Sequence, residues 1–311
     1  MKGAVILKAE INRNLELVEI LLYLADRQNR TEQALKNIYY ITKINEYFGK
    51  YKSHPAVALT QKLIDEQNFR YIKPIRAILS LDDILNNNTN RLYEWATAVI
   101  DFVVVSHFDG FILAMNSYYN MIIKKIQGFD IKKCINFTNY YFKGSNEPFR
   151  LMICPFDGNY GFVLDGILNV VRCLPYDGDG NIDTVYTNRL IGGIAHEYAH
   201  CFVNPVIEKY KDRLHEYKEF FAAHKNMYTY YNVDYAVMNE YFVRAYTFRY
   251  MRLFRNDFPD YDEYCNDTEK TKTAFIIYLD KFVEFLIEYE QSNLAFDEFY
   301  LKNLHRIGEF K

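Results

Sequence analysis

Between Asp130 and Asp183 the chain changes character, and that change constrains its fold more than any other feature. Short runs at 131–137, 149–154, 161–164 and 169–174 are rich in aliphatic, aromatic and β-branched residues. Glycine and aspartate punctuate them, as Asp157-Gly158-Asn159, Asp165-Gly166 and Asp177-Gly178-Asp179-Gly180-Asn181. Gly and Asp tolerate the left-handed backbone that tight turns need, so the segment predicts a small sheet. The last turn superficially resembles a calcium loop. Ile182 stands where such a loop needs its sixth-position glycine, and Asn188 where it needs its terminal glutamate, so it is read as a turn.

On either side the hydrophobic period is helical. Leu17, Ile20, Leu21 and Leu24 recur three and four apart, with Asn14 as the expected N-cap. Similar patterns cover residues 32–48, 55–69, 74–86, 90–105 and 110–127, and, after the sheet, 187–203, 206–224, 233–256, 270–290 and 296–306. Pro205 is expected to end or bend the helix before it. The fold class is therefore α+β and mostly helical. A long helical N-terminal region covers residues 1–129 and a second region 130–311, the two separate or continuous.

The chain of 311 residues is long enough to bury a substantial core. A net charge of -3 gives no basic field for nucleic acid. No apolar run approaches a membrane span, so no transmembrane segment is expected. Five scattered cysteines without a CxxC pair fit free thiols in a reducing compartment. The apolar run at residues 4–7 is too short for a signal-peptide core, which points to the cytoplasm; export is the alternative if a signal has been removed. With 29 Tyr and 24 Phe, the chain implies either tyrosine-rich cores or an aromatic-lined cleft.

The chemistry lies in His196-Glu197-Tyr198-Ala199-His200, an HExxH. On a helix, residues four apart share one face, so both imidazoles can converge on one cation. Glu197, next to the first histidine, can reach a water at the open position of a catalytic zinc and take its proton. The competing reading leaves both histidines on a polar face with Glu197 in solvent; the apolar flanks argue against it. Cys201 projects about 100° away on the helix and is read as a packed small residue.

A catalytic zinc needs a third protein ligand. The compact HExxHxxGxxH pattern is absent, with Val203 and Val206 in place of its Gly and His. The candidates are Glu208, His215, Glu216, Glu219, His224 and Glu240. Glu208 lies just beyond Pro205, and His215, Glu216 and Glu219 share a charged, solvated stretch. Glu240 differs, because an acid among apolar neighbours needs a partner. A helix returning antiparallel could present it to the imidazoles.

An HExxH followed by a distant Asn-Glu on another helix resembles the gluzincins, the thermolysin-like branch of zinc metallopeptidases. More closely, residues 196–205 and Asn239-Glu240-x-x-x-Arg244-Ala245 look like a bacterial family of uncharacterised gluzincin-like domains. That family often opens with a segment like Asn12-Arg13-Asn14-Leu15-Glu16-Leu17. The resemblance implies His196, His200 and Glu240 as ligands of Zn2+, Glu197 as general base, and a peptide or protein substrate. It also implies a zincin-like core, with a small mixed sheet beside the HExxH helix and then the glutamate helix. The alternative is a non-catalytic binding or scaffolding protein on a zincin fold; a third reading, a helical interaction protein, makes the HExxH accidental.

One departure stands out. Thermolysin-like enzymes carry an Asp four residues after the ligand Glu, and here that position is Arg244. Arg cannot orient an imidazole N–H, but it can clamp a ligand or substrate carboxylate; the plainer reading is a surface Arg. For the oxyanion, Tyr228, Tyr230, Tyr231, Tyr235 and His224 are candidate donors, Tyr231 being favoured by position. Residues 160–164 or 169–174 are expected to supply a strand edge for an extended peptide.

Overall fold

Most of the expected helical periods resolve into helices in the computed structural model. It describes residues 9–25, 35–70, 72–144, 148–156, 158–174, 176–177, 181–183, 187–224, 233–258, 261–262, 265–266 and 276–310. Residues 32–34 and 270–275, which the expected helices include, lie outside these, as does the centre of the turn at 178–180. The protein is mostly helical, with one three-stranded mixed sheet among the described residues. No single described helix is long and apolar enough to cross a membrane.

Three local expectations are corrected. The first helix, Arg13–Ala25, begins one residue before the expected cap. Asn12 caps it instead, its Oδ1 accepting from the amides of Asn14 and Leu15 at 3.0 and 3.1 Å. Residues 131–137 are not a strand but the start of a helix, Ile131–Tyr141. Asp130 caps that helix by accepting from the Lys133 amide at 2.9 Å, and Cys134, Ile135, Thr138 and Tyr141 bury one face at helical spacing. Pro205 does not end its helix, which runs from Thr187 to Lys209 with the proline inside. Pro205 is exposed, and the single hydrogen bond its missing amide costs is the one to the carbonyl of half-buried Cys201.

The strands β1 (Phe149–Cys154), β2 (Asn159–Leu164) and β3 (Ile167–Cys173) fall on the other three expected runs. Their order is β1-β3-β2, with β1 parallel and β2 antiparallel to β3. Leu164 pairs with Ile167 across Asp165-Gly166, whose φ values of 52° and 73° are those a two-residue hairpin loop demands. The run at 169–174 thus falls on the central strand and has no free edge for a peptide. Residues 160–164 lie on an edge strand.

The chain forms two compact units, one of Ile6–Phe129 with Phe149–Thr184, the other built mainly of Asp130–Pro148 with Val185–Lys311. The sheet therefore belongs to the unit of the N-terminal helices. Aromatic residues fill that unit's core: Tyr23, Tyr40, Phe48, Trp95, Phe102 and Phe108 are all 2% exposed or less. Each such side chain contributes roughly 1.5–3 kcal/mol by leaving water. In the other unit the helices Thr187–Lys209 and Asp234–Leu253 pack together, with Ile131–Tyr141 against the first and Leu279–Gln291 against the second. The five cysteines are free thiols.

One core group makes stability depend on pH. Glu16 is fully buried, and its Oε2 accepts from the hydroxyls of Tyr40 and Tyr119. Burial pushes its pKa up to about 7, the two hydroxyls opposing and the Glu19 charge adding to the rise. The folded state thus holds a proton that the unfolded chain releases. Its contribution is complete below the unfolded pKa near 4.5 and is lost as pH rises through about 7, a swing of roughly 3 kcal/mol. Glu16→Gln should flatten this dependence and raise stability at about pH 8 by roughly 1–2 kcal/mol. The gain falls short of the full swing because the new amide sits where Glu16 Oε1 has no partner. Urea melts across pH check this, and an unchanged slope would remove Glu16 as its source.

Candidate metal centre

Two antiparallel helices build the centre. Along the first, Gly192, His196 and His200 recur every four residues and share one face. Along the second, Glu240, Arg244 and Thr247 do the same at spacings of four and three. A Cβ on Gly192 would lie 3.3 Å from Met251 Sδ, so glycine lets the helices approach closely there. Further along, His196 meets Thr247 and Glu240, and His200 meets Glu240. Residue numbers rise on one helix as they fall on the other, the antiparallel return expected from the sequence.

The three expected ligands come together. His196 Nε2 lies 3.8 Å from Glu240 Oε2, and His200 Nε2 lies 3.5 Å from Glu240 Oε1. One donor atom from each of the three lies within 4.8 Å of the others, and this is the one such group of three among the described residues. The imidazole planes cross at 83°, with centroids 5.0 Å apart. A tetrahedral zinc with bonds near 2.0–2.1 Å needs donors about 3.3 Å apart, close to the 3.5 Å between His200 and Glu240 and shorter than the 3.8 Å between His196 and Glu240. Two nitrogens and one carboxylate oxygen suit zinc chemically.

Each of the three expected ligands has a polar neighbour. His200 Nδ1 donates to Asn204 Oδ1 at 2.8 Å, which keeps a proton on Nδ1 and orients the ring with Nε2 toward Glu240. Thr247 Oγ1 gives its own proton to the Val243 carbonyl at 2.8 Å, so at 3.5 Å from His196 Nδ1 it is placed to accept. Arg244 Nε donates to Glu240 Oε2 at 2.9 Å. Arg244 is therefore not an ordinary surface residue; it holds the Glu240 carboxylate.

The electrostatics favour positive charge between these groups. Glu240 is 6% exposed, and burial alone would raise its pKa. The hydrogen bond from His200 and the charges of His196, Arg244 and His200 outweigh burial and hold the carboxyl well below the usual range. Burial likewise opposes charge on His200. The hydrogen bond and charge of Glu240, then Glu197 and Asn204, overcome it and raise the His200 pKa. Glu197 is itself 9% exposed and close enough for its charge to act on His200.

The other candidates fall away from the centre or outside the described residues. Glu208, His215, Glu216 and Glu219 are exposed. His224 is buried and committed elsewhere. Its Nδ1 donates to the Phe220 carbonyl at 2.5 Å, its Nε2 accepts from the Tyr241 hydroxyl, and burial lowers its pKa. Cys201 is half-buried rather than fully packed. Tyr228, Tyr230 and Tyr231 lie outside the described residues, and Tyr235 is half-buried in the first turn of the glutamate helix.

Asn204 and Thr247 escaped the sequence reading. Asn204 carried a readable signal, an amide one turn beyond a candidate ligand histidine. Thr247 carried one only once Glu240 was fixed, two turns before it on the same face. No protein-family model matches the chain, no curated protein matches it, and no solved structure matches it.

Proposed function

We propose that the protein is a zinc-dependent hydrolase, a peptidase of the gluzincin type with a zincin-like core. His196, His200 and Glu240 would hold the ion and Glu197 would serve as general base. The observation that carries this reading is the convergence of three donors, two from one helix and one from another, within 4.8 Å of one another. The motif adds that a fourth group, Glu197, stands beside the first ligand. A bound zinc supplies Lewis acidity and acidifies a water molecule. The chain's own residues then divide the work. Asn204 and Thr247 fix the imidazole tautomers, Arg244 fixes the carboxylate, and Glu197 accepts a proton from the attacking water. A peptide or protein is the proposed substrate.

The test is metal content. Purified protein should carry one zinc per chain, release it to a chelator with loss of peptide turnover, and regain both on reloading. His196→Ala should lower zinc affinity by at least about a hundredfold, since it removes a direct ligand. Absence of tight zinc from the wild type would overturn the reading. Tight zinc without peptide turnover would favour a binding protein on the same framework.

A further inference from the structure

In the N-terminal unit, Arg13 meets Asp109 and Arg150 meets Glu10. Among the described residues Arg76, Arg91 and Lys73 meet no carboxylate; the Arg76 guanidinium lies over the Phe162 ring, 5.8 Å from its centroid. These three nonetheless line one concavity of about 580 Å³. Lys73 and Arg76 stand three apart on the helix Ile72–Leu79 and share a face. Arg91 comes from the turn just before the helix Tyr93–Val105. Lys73 Nζ donates to the Gln67 carbonyl at 2.9 Å, on a residue that lines the same concavity, so its ammonium is held there.

Phe69, Ala77 and Leu92 add apolar surface to the same lining. Phe69 is 4% exposed and meets Trp95 edge-on with centroids 5.3 Å apart, so the hydrophobic core fixes its position. The chain as a whole is net acidic, so the three cations are not part of a general basic field. Like charges around one hollow repel, and with no carboxylate among the described residues paired to them an external anion relieves that repulsion. Guanidinium forks match the oxygens of a phosphate, and the volume is that of a small-molecule site.

We propose that this concavity binds a small phosphate ester. Arg76, Arg91 and Lys73 hold the phosphate, and an apolar group rests on Phe69, Ala77 and Leu92. The site is independent of the metal centre and stands or falls separately from it. Calorimetric titration of the full chain with phenyl phosphate at physiological salt tests it. Saturable binding is expected, with inorganic phosphate several-fold weaker. The double variant Arg76→Gln, Arg91→Gln should bind at least tenfold more weakly with an unchanged melting temperature. Replacing the exposed Lys124 and Lys125 by Gln should leave binding unchanged. Should the double variant fold poorly, Arg91→Gln alone, on a turn, should still weaken binding. No saturation at millimolar phenyl phosphate, or equal binding by the folded arginine variant, overturns the proposal.

Discussion

Glu197→Gln is expected to keep one zinc per chain and lose peptide turnover by roughly a hundredfold to ten-thousandfold, the range for a positioned general base. The substitution is isosteric, so a side chain only 9% exposed keeps its packing. The three proposed ligand side chains and their neighbours Asn204, Thr247 and Arg244 are not altered by it. What changes is proton affinity, because an amide cannot take the proton that a carboxylate takes. Glu240→Gln gives the contrasting result. It replaces a charged donor with a neutral one among two imidazoles and a guanidinium, so zinc itself should be lost. Zinc analysis of both variants, with turnover of a mixed peptide library, separates the roles. Full activity in Glu197→Gln would remove that residue from the chemistry, and retained tight zinc in Glu240→Gln would remove that one from the coordination.

How far the sequence reveals the site depends on whether the information is local. The histidine pair is legible because a helix fixes the geometry of residues four apart. Glu240 is legible because a carboxylate amid apolar residues needs a partner, and its nearest partners are the two imidazoles and Arg244. The role of Arg244 stays open until the fold supplies the 2.9 Å contact. Thr247 meets His196 across two helices, so its spacing from Glu240 becomes informative only once Glu240 is placed. The sheet follows the same logic. The Asp165-Gly166 turn marks β2 and β3 because two successive positive φ values require such residues. Residues 131–137 mislead because their composition is β-prone, whereas the Asp130 cap and the buried face decide for a helix. Pro205 misleads because on the solvent side it costs the helix one hydrogen bond, which the packed face of the helix outweighs.

The second large effect is expected at Arg244, and two opposing contributions have to be weighed. Its positive charge stands next to Glu240, the proposed ligand of a divalent ion, which by itself would weaken zinc binding. Its Nε–H also holds Glu240 Oε2, leaving Oε1 facing His200 Nε2 as the free donor. The side-chain exposures decide between them. Arg244 is 37% exposed and its charge is screened by water, whereas Glu240 is 8% exposed and depends on its partners for orientation. Positioning should therefore dominate. Arg244→Met should weaken zinc by about tenfold to a hundredfold, the usual range for losing an orienting partner. Arg244→Lys keeps the charge but loses the planar Nε–H donor, and should fall nearly as far. Competition with a chromophoric chelator measures both, and equal melting temperatures of the two variants exclude a general loss of packing. Zinc binding that is fully restored in the lysine variant, or tighter than wild type in the methionine variant, would show that charge and not orientation is what Arg244 contributes.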